Sequence, residues 1–313
     1  MVPRVGRGAG VPLRGCRGRG MMAIATIGAG DRMQTIEIFQ SLWAMERRRP
    51  DKQEWSLERK VAMIAEAGYD GIDVVHGDPL AAGPNGGIWP LIRKHGLAAT
   101  ITAFPKSADG LGSAIAEAAG NGVRHLNIIG NVYPLTVAEG ARIVDRWIDD
   151  GEKAGVAITL ELHRDAITTD LLYILQLLDA VPRMRLSADL SHIVVAREFP
   201  IPVPDAMQRQ VETLLDRADA FQGRIASREQ IQVPIAFPQH RGWVEQFERW
   251  WRYGFASWRK RNAKDARLNF LCELGPPPYA ITGAEGWELS DRWDEALHIR
   301  ERVRGIWADG AND

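Results

Sequence analysis

Three carboxylates stand at the ends of apolar runs in this chain. Glu161 closes the apolar part of VAITLELHRD (Val156–Asp165), Asp189 sits in MRLSADLSH (Met184–His192), and Glu273 in LNFLCELG (Leu268–Gly275). A charge ending an apolar run is costly to bury alone, so each must face solvent, a partner or a metal. Side chains on a strand alternate between its faces. Val156, Ile158 and Leu160 then share one face, while Ala157, Thr159 and Glu161 share the other, with His163 next on that parity. Asp189 shares a face with Ser187, opposite Leu186 and Met184, and Ser191 and His192 follow it. Glu273 goes with Leu271 and Asn269, and Gln222 goes with Ala220, opposite Phe221. Three carboxylates and an amide oxygen make a hard-donor set suited to Mg2+ or Mn2+, with water or substrate completing the coordination. Without a cation the carboxylates would repel and raise one another's pKa. The competing reading gives each carboxylate its own salt bridge or helix cap. Shared parity at three strand ends weighs against it.

The elements that must position these groups alternate between strand-like and helix-like runs. Strands are expected at Thr35–Phe39, Gly71–His76, Leu97–Phe104, Arg124–Ile129, Val156–Leu162, Met184–Leu190, Asp219–Ile225 and Arg267–Glu273. Helices are expected between them: Leu57–Ala67 behind a Ser56 cap, Ile88–His95 closed by Gly96, Leu111–Ala119, and Val137–Ala154 behind Thr136. They continue with Asp170–Ala180 capped by Thr168 or Thr169, Asp205–Ala218, Trp243–Arg261 and Leu289–Trp307. Such alternation implies a parallel sheet, and eight units at this length imply an α/β (β/α)8 TIM barrel. A doubly wound sheet is the runner-up. It would want a Gly-rich first turn, and Gly28-Ala29-Gly30 precedes any strand. Barrel active sites lie at the C-terminal strand ends, where Glu161, Asp189, Gln222 and Glu273 would converge.

Composition narrows the function classes. The 313 residues are 45% hydrophobic and 25% charged, with a formal net charge of −1. Bulk charge therefore draws the chain to neither nucleic acid nor an anionic membrane. No apolar run approaches the roughly 18–20 residues of a membrane span. The two cysteines, Cys16 and Cys272, are far apart and form no disulfide framework, so a reducing, cytoplasmic setting is expected. Residues 1–32 are rich in Gly and Arg without a periodic apolar face. They are expected to be a disordered, dispensable tail ahead of a single catalytic domain at 33–313. The stripe Trp243, Phe247, Trp250, Trp251, Phe255, Trp258 has helical spacing and is read as packing against the barrel or a subunit neighbour. The second of these leaves a homo-oligomer open. The loop Gln230–His240 is polar and Pro-containing, long enough to be a lid over the site.

ITLELHRD, LSADLSH and FLCELGPPPY, in this order and spacing, resemble the xylose isomerase-like (sugar phosphate isomerase/epimerase) superfamily of TIM barrels, over roughly Thr35 to Trp307. The resemblance implies one divalent metal, Mn2+ or Mg2+ with Co2+ or Zn2+ as alternatives, held by Glu161, Asp189, Gln222 and Glu273. Many relatives have histidine on the seventh strand in a pattern like HxR, where this chain has Gln222-Gly223-Arg224. The implied chemistry is isomerisation or epimerisation of a sugar, polyol or keto-acid. Glu161 and Glu273 would exchange a proton with the carbon beside a carbonyl, through a metal-stabilised enediolate. His192 matches a substrate-oxygen ligand of the family, and Arg224 or Arg228 the arginine after the seventh strand. His163 and Trp43 are further candidates to line the substrate pocket, and Tyr279 to stand at its rim. One departure counts against a ketose 3-epimerase: those enzymes carry a second Glu six residues after the first, and here that position is Ile167. A dehydratase or lyase on the same scaffold uses the same metal and proton abstraction, while the retained Glu161, Asp189 and Glu273 argue against the further alternative, a non-catalytic sugar-binding relative. An endonuclease IV-like repair enzyme would need more histidines at strand ends and a basic groove. The seven histidines here do not cluster so.

Overall fold

The computed structural model describes residues 33–79 and 86–310. The expected tail at 1–32 lies outside the described residues. The strands are β1 (Thr35–Ser41), β2 (Gly71–Val75), β3 (Ala98–Ala103), β4 (His125–Ile128), β5 (Ala157–Glu161), β6 (Leu186–Ala188), β7 (Ala218–Gln222) and β8 (Arg267–Cys272). They close into one barrel in sequence order, and every neighbouring pair is parallel, β8 with β1 included.

The helices between them are α1 (Leu57–Glu66), α2 (Ile88–His95), α3 (Gly112–Gly120), α4 (Val137–Ala154), α5 (Leu171–Ala180), α6 (Leu190–Ala196), α7 (Asp205–Leu215), α8 (Arg241–Arg261) and α9 (Arg292–Asp309). Local chemistry sets their ends. Ser56 accepts a hydrogen bond from the Arg59 N–H at 3.2 Å and starts α1. Thr136 and Glu139 form a reciprocal capping box that starts α4. Gly96 and Gly155 end α2 and α4 with φ of 66° and 69°, a left-handed conformation that glycine adopts without a Cβ clash.

Two expectations change. α5 is capped by Asp170, whose side chain accepts from Tyr173 N at 2.8 Å. Thr168 and Thr169 tie down the loop before it instead, accepting from the His163 and Asp165 N–H groups. The sixth strand is also shorter than the apolar run suggests. It stops at Ala188, because Asp189 turns the chain into α6 by accepting from the Ser191 N–H at 3.0 Å.

The strand faces divide as alternation requires. Ile38, Ile72, Ile101, Leu126, Leu160 and Phe270 join the continuous apolar layer under the helices. The other parity carries buried polar groups: Asp73, Thr100, Thr102, Asn127, Thr159, Ser187 and Gln222. The aromatic stripe of α8 packs on the barrel. Phe255 meets Phe221 with ring centroids 5.1 Å apart, and Trp251 meets Phe270 at 5.3 Å.

Candidate metal centre

Glu161 is the last residue of β5 and Gln222 of β7, while Asp189 and Glu273 each stand one residue beyond β6 and β8. The parallel register brings them to one end of the barrel. One oxygen from each of Glu161, Asp189 and Glu273 lies within 4.8 Å of the other two. Glu161 is 1% exposed and Asp189 is fully buried, while the Glu273 side chain keeps 16% exposure at the mouth.

Each carboxylate has a distinct set of partners. Glu161 Oε2 accepts from Gln222 Nε2 at 2.9 Å and from Asn127 Nδ2. Asp189 Oδ1 accepts from the Ser191 N–H and hydroxyl, and Oδ2 accepts from Arg224 Nη1 at 2.9 Å. Glu273 Oε2 lies 3.1 Å from Arg224 Nη2, a charge contact without hydrogen-bond alignment. Arg224 Nε donates to the Glu273 backbone oxygen at 3.1 Å. Arg224 thus spans two carboxylates while itself only 2% exposed.

The electrostatics follow from this crowding. Burial raises Glu161 well above the usual carboxylate range, and Glu273 and Asp189 push it further. Burial pushes Glu273 up to about 7, with Arg224 pulling it down and Asp189 and Asp73 pushing it up. Burial works against the charge on Arg224, but Glu273 and Asp189 together hold its pKa above the ordinary value.

The donor set fits a hard divalent cation. Gln222 spends its amide N–H groups on Glu161 and Ser187, while its Oε1 is buried with no hydrogen-bond partner. A buried acceptor left unmade is costly, and on a side chain whose Nε2 already meets Glu161 it is an unused oxygen donor. Glu161, His163 and His192 also offer atoms within 4.8 Å of one another.

The other expected site residues are distributed unevenly. His192 is 2% exposed, with Nε2 3.5 Å from Asp189 Oδ2 and its ring centroid 4.0 Å from that of His163. Burial, then His163, Arg224 and Arg164, keep its pKa well below the ordinary value, so the ring is neutral. Burial likewise lowers His163. Trp43 stands edge-on to Tyr279 at 5.3 Å, and Arg224 and Arg164 lie over the Tyr279 ring at 4.9 and 5.0 Å. Arg228 is not brought to this cluster. It pairs with Glu198 at 2.8 Å, with a side chain 47% exposed. Ile167 is buried at 4%, and its N–H donates to the Gly130 oxygen at 2.8 Å. Its position is an apolar packing site.

The Gln230–His240 loop is pinned rather than free. Gln232 is 3% exposed and clamps Gly275 twice, donating to its oxygen at 3.1 Å and accepting from its N–H at 2.7 Å. Ile235 N–H donates to Glu295 Oε1 at 2.9 Å. Two buried polar positions near the cluster escape a reading of strand ends: Asn127 on β4, which holds Glu161, and Asp73 on β2, which accepts from Thr100 and Thr102. The available signal was a lone amide in HLNI and a lone carboxylate in GIDVV.

No family profile matches the chain, and no curated protein matches its sequence. Solved structures do match its fold. A xylose isomerase-like TIM barrel protein from Mycobacterium smegmatis, in complex with magnesium, superposes with a TM-score of 0.58 at 16% identity, over 87% of this chain and 98% of that one. D-allulose 3-epimerase from Methylomonas sp., in complex with D-allulose, gives 0.54 at 16% identity, over 87% and 97%. A probable 3-DHS dehydratase from Bacillus anthracis gives 0.52 at 12% identity, over 86% and 98%. The chain therefore carries the fold of the xylose isomerase-like TIM barrels.

Proposed function

We propose that the protein is a divalent-metal-dependent enzyme that moves a proton at the carbon beside a carbonyl of a sugar, polyol or keto-acid, as an isomerase or epimerase. The observation that carries this reading is the cluster of Glu161, Asp189 and Glu273, whose oxygens lie within 4.8 Å of one another, joined by Gln222, which donates to Glu161 and keeps a buried Oε1 without a partner. Glu161, Asp189, Gln222 and Glu273 would hold the ion. When bound, the ion polarises the substrate carbonyl and stabilises negative charge on the adjacent oxygen.

The chain's own groups do the rest. Glu161, ending β5, and Glu273, just beyond β8, exchange the proton with carbon from its two sides. Asn127 and Gln222 fix one Glu161 oxygen by donating to Oε2. Arg224 and neutral His192 bind substrate oxygens from the Asp189 side, and Trp43 and Tyr279 wall the mouth beside them. The magnesium-bound neighbour and the D-allulose-bound epimerase support a metal and a small polyol in such a barrel. Ile167 turns the reading away from a ketose 3-epimerase. It leaves dehydration after the same proton abstraction as the second reading, in line with the dehydratase neighbour.

The test is a screen of small sugars and polyols in D2O with Mn2+-loaded protein, reading deuterium at carbon by NMR. Exchange should fall at least about 100-fold in Glu161→Gln and Glu273→Gln with the fold intact by circular dichroism. Calorimetric titration should show one Mn2+ per chain, lost in Asp189→Asn. Full exchange in both glutamine variants refutes the assignment.

A further inference from the structure

A second group of chemistry-bearing side chains lies across the ring from β5–β8, beside β2 and β3. His76 follows β2, and its N–H donates to the Thr102 oxygen at 2.8 Å, which fixes its main chain to the sheet. Its Nδ1 lies 2.5 Å from Glu117 Oε2, and its Nε2 lies 2.9 Å from Ser113 Oγ. Ser113 and Glu117 are four residues apart on α3, so one helical face presents both. In the neutral ring with its proton on Nδ1, His76 donates to Glu117 and its Nε2 lone pair accepts from the Ser113 hydroxyl. The order is nucleophile, base, orienting carboxylate, the arrangement that activates a hydroxyl for acyl transfer.

Access agrees with that role. Ser113 is exposed, while the His76 and Glu117 side chains keep 28% and 23% exposure. The base is therefore partly shielded behind a reachable hydroxyl. Ser113 is the second residue of α3, and no side chain caps this helix at Leu111. Its first N–H groups have no intrahelical acceptor and point out of the helix start. N–H groups at a helix start are donors for the oxygen of an acyl group held on Ser113. None of these residues touches the carboxylate cluster.

We propose that Ser113, His76 and Glu117 form a second nucleophilic site, independent of the metal centre, that takes the acyl group of small activated esters. Ser113 Oγ forms a bond to the ester carbonyl carbon as its proton passes to His76 Nε2. The bond from that carbon to the alcohol oxygen breaks, and the alcohol leaves with the proton. A water molecule, giving its proton to the same nitrogen, then attacks the acyl-serine. The carboxylic acid departs and the Ser113 hydroxyl is restored. Glu117 is a positioning residue that holds the imidazole.

The probe is an alkyl fluorophosphonate, which bonds to an activated serine oxygen with loss of fluoride. Intact mass and peptide mass spectrometry of the full chain should show one adduct, on Ser113. Labelling should vanish in Ser113→Ala and slow at least about 100-fold in His76→Asn. Glu117→Gln should lower the maximal labelling rate by roughly tenfold or more with probe affinity unchanged, and Glu117→Asp should restore part of it. Glu161→Gln should label as the parent does, which separates this site from the metal centre. No adduct on the parent chain, an adduct at another residue, or an unchanged rate in a folded His76→Asn variant overturns the proposal.

Discussion

Replacing Arg224 with leucine tests whether the carboxylate cluster is a cation site that an arginine half fills. The Arg224 side chain is 2% exposed and that of Asp189 is 0% exposed, with Nη1 and Oδ2 2.9 Å apart. Removing the guanidinium leaves Asp189 buried with its neutral partner Ser191 and an imidazole 3.5 Å away that is not charged. Deleting one partner of a buried ion pair costs about 3–5 kcal/mol. At about 2–4 °C per kcal/mol for a domain approaching this size, Tm in EDTA should fall by roughly 6–20 °C. A divalent ion would then be the main positive charge in the site. Saturation at a hundredfold excess over Kd adds about 2.7 kcal/mol. Loss of the like charge also tightens Kd, so Arg224→Leu should recover more than the parent gains. The assay is thermal unfolding by circular dichroism in EDTA and in saturating MnCl2, for parent and variant. A variant as stable as the parent in EDTA, or an equal Mn2+ shift in both, would show that Arg224 and the metal do not share the site.

The same cluster gives a pH signature. Folded pKa values of Glu161 and Glu273 lie above the unfolded ones, the latter at about 7. Their contribution to stability is therefore complete below about pH 4.5 and is lost as pH rises through about 7. Tm in EDTA should fall between pH 5 and 8, and the slope should flatten in the Glu161→Gln, Glu273→Gln double variant; a Tm that climbs over that range contradicts the assignment. Asp73 extends the argument inside the barrel. Burial raises it to about 6 against the pull of the Thr100 and Thr102 hydroxyls, so its charge at pH 8 costs on the order of 3 kcal/mol. Asp73→Asn should gain up to that amount in urea unfolding at pH 8 and little below pH 4, and no gain at pH 8 would sink it.

Much of the barrel and its site was legible in the residues themselves. Alternation put Glu161, Asp189, Gln222 and Glu273 on the site-facing parity of their strands, because a strand has a fixed period of two and one apolar face must meet the helices. Short-range capping at Ser56, Thr136 and Gly96 was readable for a similar reason: each device acts within about one helical turn. The α8 stripe announced its buried face by helical spacing alone.

What the residues could not show are contacts between units far apart in the chain. Arg224 reaches Asp189 and Glu273, 35 and 49 positions away, and only the pairing of strands in the sheet brings β7 beside β6 and β8. The role of Gln222 depends on which amide atom is left over once Glu161 and Ser187 have accepted its N–H groups. His76, Ser113 and Glu117 were unremarkable in a loop and a helix until β2 and β3 became neighbours. Arg228 looked as suitable as Arg224, but the chain turns it outward to Glu198. The sequence by itself determined the strand periodicity, the caps and the donor types, all local properties of one chain segment. Tertiary structure alone decided which donors come together, which are spent on hydrogen bonds, and which face solvent, because those depend on distance across the closed barrel.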